Sequence, residues 1–178
     1  MYGARGRLGH ICPSIPLDMI LNEVQAVLPD DVLAVYSSLY IEKLQQSDFD
    51  RAIATIDTAA GHMVEGEVDC IIVGGGPVVA VLGSDEAVVE RTRAVAKVPT
   101  QSTTGAMLAG AQQLGARNLI IASPYTDERN ALLRTYLESQ GFSIVGAGGL
   151  GGEVVVALGH GGKRTGLGRG ARFNLRRS

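Results

Sequence analysis

Three successive glycines, Gly74-Gly75-Gly76, followed by Pro77, come straight after the most apolar and β-branched stretch of the chain, Val68 to Val73. A turn without side chains lets backbone N–H groups approach a ligand, and a row of such donors can hold a carboxylate or an oxyanion. A tight turn where a helix packs on the strand would use the same glycines, and glycine content alone does not separate the two readings. A second place is Ser123-Pro124-Tyr125, where a phenol beside a proline after a strand can aim its O–H into a cleft. By position alone Tyr125 would be an ordinary loop aromatic.

Other reactive side chains are sparse. The two cysteines, Cys12 and Cys70, both lie in apolar segments, and neither number nor spacing suggests a disulfide framework or a metal site. Cys12, at the end of a strand, could present a substitute thiol, although a small buried hydrophobe is the commoner role; Cys70 is expected in the core. His10, in a strand, and His62, in a helix, lack the carboxylate and nucleophile spacing of a triad and are expected to be structural. Gly146-Ala147-Gly148-Gly149-Leu150-Gly151 formally matches a dinucleotide fingerprint, but that motif needs a helix starting at its third glycine and an acidic residue about 20 positions on. No acidic residue follows Glu153, so an NAD-dependent oxidoreductase is disfavoured and neither cofactor nor metal is expected.

Elements that could position these residues follow from periodicity. Residues 8–152 alternate short β-branched runs with helical stripes, the pattern of an α/β chain with a parallel sheet. Strands are predicted at Leu8 to Cys12, Val32 to Tyr36, Val68 to Val73, Val98 to Gln101, Asn118 to Ala122 and Phe142 to Val145. The third is expected at the centre of the sheet. Helices are predicted from Pro16 to Leu28, with Met19, Ile20, Val24, Val27 and Leu28 on the apolar face, and after a Ser47-Asp48 cap, with Phe49, Ile53, Ile56, Ala60 and Met63 buried. Three more are expected after Ser84, over Thr103 to Leu114 with Gly115 as its stop, and over Asp127 to Ser139 before Gly141. Ligands of open α/β sheets bind beyond the carboxyl ends of strands, which singles out Pro13-Ser14, Gly74 to Pro77, Gln101 to Thr104 and Ser123 to Tyr125.

These segments resemble the aspartate/glutamate racemase superfamily, in its arylmalonate decarboxylase and maleate cis-trans isomerase branch. The resemblance rests on VDCIIVGGGPVVAVLG and LIIASPYTDERN, together with GHICPSIP, VPTQSTTGAMLAGAQQLGARNL and GFSIVGAGGLGG, and covers roughly residues 7 to 152. It implies two Rossmann-like halves related by a pseudo-twofold axis, with the active site between them: a first domain over 7–116 and an incomplete second over 117–152. It also implies a cofactor-independent lyase or isomerase that decarboxylates or isomerises a small di- or arylmalonate-type carboxylate through an enediolate. Racemases and isomerases of the superfamily carry a cysteine where Gly75 stands; arylmalonate decarboxylases share the glycine and keep one cysteine, in the second half. The resemblance assigns Gly75 and Tyr125 to catalysis, and Pro13, Ser14, Gly75, Gly76 and Tyr125 to substrate binding. Hydroxyl residues follow the glycine in the decarboxylases, whereas Gly76 and Pro77 follow it here, so backbone N–H groups must bind more of the anion; Pro77 itself has none. No cysteine follows Cys70, which opens the alternative of a catalytically dead remnant or a dicarboxylate-binding module.

Charge and hydropathy limit the partners. Residues 153–178 carry six basic side chains against Glu153 alone, +5, so residues 1–152 hold −7 of a net −2. Such an acidic body does not suit nucleic acid, and the basic tail lacks interleaved aromatics. No apolar run approaches the roughly 20 residues that cross a bilayer, and the N-terminus shows no secretion signal, so the expected location is cytoplasmic. A small carboxylate is the expected partner, with a homo-oligomer left open. Glu153 to Leu158 could be one more strand, but Gly159 to Ser178 predicts no packed element, and the basic Gly-rich tail, 153–178, is expected to be disordered, as from a truncation or frameshift.

Overall fold

The structure, a computed structural model, describes residues 3–14, 18–41, 46–75, 85–123 and 125–149. Apolar runs and helical stripes alternate in it as the periodicity requires: β1 (Gly6–Ser14), α1 (Asp18–Val27), β2 (Val32–Ile41), α2 (Gln46–Glu65), β3 (Cys70–Val73), α3 (Asp85–Ala96), β4 (Thr100–Ser102), α4 (Thr103–Gln113), β5 (Asn118–Ser123), α5 (Asp127–Ser139) and β6 (Ser143–Gly149). All strand pairs are parallel. The first four strands form one sheet in the order β2-β1-β3-β4, and β5 pairs with β6 in a second. The third strand is therefore central, between β1 and β4, as its composition predicts.

Helices lie on opposite faces of the first sheet. Val35 belongs to the face that meets the end of α2, since a Cβ on Gly66 would fall 2.9 Å from its Cγ1. Tyr36, one residue on, points the other way and donates its phenol to the Leu21 carbonyl of α1 at 3.4 Å. Strand alternation thus assigns α1 and α2 to different layers. Ile56, Ala60 and Met63 of α2 are buried with Ile11, Ile71 and Val73 of the strands, and the same cluster continues through Leu108 to Ile121, Tyr136, Leu137, Phe142 and Ile144 around the second sheet. On the outer surface Arg91 of α3 binds Asp57 of α2 at 2.8 Å. Both are well exposed, so the pair adds little beyond the apolar contact beneath it.

Several boundaries differ from the expectation. β2 continues five residues past Tyr36, because Leu39 and Ile41 have apolar partners in the core. α2 starts at Gln46, ahead of the predicted Ser47-Asp48 cap, and Asp48 instead turns inward to accept from Arg51 at 2.9 Å. β6 runs to Gly149, so Gly146, Gly148 and Gly149 pair with Ile120, Ala122 and Ser123 in a ladder. A dinucleotide turn would have to leave the strand there, and the first glycines of the apparent fingerprint remain extended. Cys70 is half-buried and not in the core, and Val27, expected on the apolar face of α1, is 81% exposed. The Phe49 side chain and the tail from residue 150 lie outside what is described, as do Pro16 and Ser84.

Truncation separates these two classes of apolar residue. Met63→Ala, at a site with no exposure, is expected to cost about 2–5 kcal/mol in urea denaturation, whereas Val27→Ala should stay within about 0.5 kcal/mol of the parent. Equal losses at the two positions would contradict this packing.

Candidate functional site

β1 is flanked by β2 on one side and β3 on the other, so the direction of winding reverses between β1 and β3. The crevice beyond the carboxyl ends of two such strands is the preferred ligand position of an open α/β sheet. Gly74 closes that point: its N–H donates to the Ile11 carbonyl at 2.8 Å. A Cβ on Gly74 would lie 3.1 Å from Pro13 Cδ and 3.4 Å from His10 Nε2, a tight place that a side chain enters only if the Pro13 ring gives way by a few tenths of an ångström. Gly75 then adopts φ +108°, a left-handed conformation that side chains resist. The structure therefore brings Pro13 together with the start of the glycine turn. Ser14 ends β1 opposite Ile41; Gly76, Pro77 and the Ser14 side chain lie outside the described residues.

Two further features on this edge escape a sequence reading. Ser102, fully buried at the end of β4, accepts from Gly105 N at 2.8 Å and caps α4, so that this helix starts beside the end of β3. In β2, Tyr40 holds φ +57° and donates its N–H to Ser38 Oγ at 3.0 Å. The pairing register of β1 and β2 shifts there, between Cys12 and Ser14. The strand pattern of Val32 to Tyr36 carries no mark of that bulge; the helix start at Thr103 is legible in the sequence, whereas the burial of its Ser102 cap is not.

Tyr125 stands beyond β5, in the second sheet. Its N–H donates to Ser123 Oγ at 3.1 Å, and the Ser123 hydroxyl donates to Asn130 Oδ1 at 2.6 Å. Thr126 caps α5 by accepting from Arg129 N at 3.4 Å. Burial raises the Tyr125 phenol above the ordinary tyrosine value, so it stays protonated and can donate a hydrogen bond at neutral pH. Gly75 and Tyr125 thus occupy carboxyl ends of strands in sheets that are not hydrogen-bonded to each other.

The thiols and imidazoles fit structural roles. Cys12 has no exposure, and burial pushes its thiol up to about 12, which fits the small buried hydrophobe that is the commoner role of such a residue. His10 is buried against Tyr36, ring centroids 5.8 Å apart, and desolvation holds its pKa below the ordinary value. His62 is exposed beside Ser37 Oγ at 3.3 Å. Among the described residues no group of three His, Cys, Asp or Glu could hold a metal ion, and no helix is long and apolar enough to cross a membrane. A cavity of about 370 Å³ opens among α3, α4 and α5, lined by Glu90, Arg93, Gln101, Leu108 and Tyr136 among others, and touches neither Gly75 nor Tyr125.

Two measurements check these environments. A thiol-specific disulfide reagent at neutral pH should leave Cys12 unmodified until the chain unfolds; rapid native labelling of Cys12 would contradict its burial. His10 is held neutral in the folded chain but protonates near 6.5 when unfolded, so its contribution to stability is intact above that pH. It is lost as pH falls below it, until the folded value is passed. Denaturation at pH 7.5 and 5.5 should show the loss, and His10→Gln should flatten the difference.

No curated protein matches the chain. Among solved structures, maleate isomerase from Pseudomonas putida S16 with maleate is similar at 19% identity and TM-score 0.79, over 87% of this chain and 67% of that one. Maleate cis-trans isomerase of Nocardia farcinica, with a covalently bound succinylcysteine intermediate, gives 16% and 0.72 over 84% and 65%. Unliganded arylmalonate decarboxylase gives 22% and 0.66 over 82% and 62%. At such identities the likeness establishes the shared α/β fold, and the chain spans about two thirds of the length of these proteins. The family model described as arylmalonate decarboxylase matches residues 9–165, and with the parallel sheets and the glycine turn already in place, this chain belongs to the arylmalonate decarboxylase family.

Proposed function

We propose that the chain is built for cofactor-independent chemistry on a small carboxylate, as a lyase or isomerase working through an enediolate. The observation that carries this reading is the turn at Gly74-Gly75, where the backbone approaches the crevice between β1 and β3 with no side chain in the way. In decarboxylation of a malonate the bond to the departing carboxylate breaks, and its electron pair passes into the retained carboxylate. The charge gathered on those two oxygens is met by N–H groups of Gly75 and Gly76 and by the protonated Tyr125 hydroxyl, with Pro13 and Ser14 bordering the substrate. Such fixed donors act most strongly where charge develops in the transition state. Residues 7–116 and 117–152 are read as the two halves that border this cleft, in a protein of the cytoplasm.

A binding module without turnover is the second reading, favoured by the thiols of this chain. Cys12 is sealed in the core, and no cysteine follows Cys70 to return a proton to the carbanion. Turnover in this reading requires a donor supplied by a second half like that of the relatives.

The assay is carbon dioxide release from substituted malonates and isomerisation of maleate, by the chain itself and by a fusion that supplies a relative's second half. Melting is followed in parallel with millimolar maleate, succinate or phenylmalonate. Ligand at 100 times its Kd should stabilise by about 2.7 kcal/mol, and Tyr125→Phe should weaken binding about ten-fold or more by removing a hydrogen bond to a charged group. A cooperative shift without turnover in either form selects the binding module. The absence of both a shift and turnover in the fusion sinks the carboxylate reading. NAD is expected to leave the melt unchanged.

A further inference from the structure

We propose that Ser123 and Asn130 form a clamp that positions the Tyr125 phenol, and that Gly149 is the residue that lets the clamp close. Tyr125 follows β5 by two residues, so the direction of its loop is set as the chain leaves Ser123. There one hydroxyl does two things: Ser123 Oγ accepts from Tyr125 N at 3.1 Å and donates to Asn130 Oδ1 at 2.6 Å. Asn130 lies on the first turn of α5, four residues past the Thr126 cap, and its backbone N–H returns to the Thr126 carbonyl at 3.0 Å. Strand end, loop and helix are thereby joined through a single buried hydroxyl. The neighbouring strand supplies the wall, since Gly149 pairs with Ser123. A Cβ on Gly149 would stand 2.6 Å from Asn130 Nδ2 and would collide with the Tyr125 carbonyl oxygen.

Asn130 is an expensive choice if its role were only to fill space. It is 4% exposed, and its Nδ2 has no hydrogen-bond partner. A buried donor left unpaired lowers stability, whereas an apolar side chain of similar volume carries no such penalty. What the amide provides, and an apolar group could not, is the acceptor that turns the Ser123 lone pairs toward Tyr125 N. The inference concerns the phenol's position; its use on a carboxylate rests on the function proposed above.

The test uses the full chain and the paired substitution Ser123→Ala/Asn130→Leu, which removes both side-chain partners and leaves the Tyr125 N–H to turn toward water with its loop. Ultraviolet titration, taken as the difference from Tyr125→Phe, reads the phenol, which burial holds above its ordinary value. The clamp predicts a melt like the parent's, a Tyr125 titration that moves down toward that of a free tyrosine, and maleate binding weakened about ten-fold. Ser123→Thr, which keeps the hydroxyl, should retain the parent titration while Ser123→Ala loses it; these single variants decide the matter if the double variant does not fold. An unshifted titration in Ser123→Ala overturns the clamp. If the parent binds no maleate, or Tyr125→Phe binds it equally well, the carboxylate reading fails while the titration still judges the clamp.

Discussion

The approach of β3 to β1 at Gly74 is the constraint on which the carboxyl edge of the first sheet depends. One backbone hydrogen bond to Ile11 fixes the end of β3, and the missing side chain lets Pro13 and His10 pack against it. A side chain there would press on the Pro13 ring, which would have to shift by a few tenths of an ångström. The left-handed Gly75 follows directly, in a conformation that a glycine adopts without the cost a side chain would add.

Much of this was legible in the residues. Six strands and five helices emerge from periodicity and stop signals, and the same number occurs among the described residues. Asp127 to Ser139 agrees to the residue with the helix expected before its stop at Gly141. What escaped depends on tertiary neighbours. The extension of β2 to Ile41 draws on apolar contacts that no local pattern contains, and the outward face of Val27 is settled by what α1 packs upon. Periodicity names a stripe, not the width of the surface available to cover it.

The candidate residues divide along the same line. Gly74, Gly75 and Tyr125 could be found because glycine runs and loop aromatics after strands are visible in one dimension. Asn130 could not, since an asparagine in the first turn of a helix ordinarily faces water. Its burial comes from Ser123 and Gly149, which reach it from two different strands. Cys12 shows the converse. A thiol at a strand end invites a chemical reading, and only the packing around it reveals that it never meets solvent.

Among the described residues the second sheet has two strands, and such a ribbon is marginal in water unless another layer shields it. That shield is α5, which packs on β6 and buries Tyr136 and Leu137 with Ile121 and Ile144, while Ile120 and Val145 on the opposite face are 57% and 48% exposed. The apolar cluster of the four-stranded sheet runs on through Leu108 to this covered face, so the ground beneath Tyr125 is tied to the first sheet through side chains and not through a strand ladder.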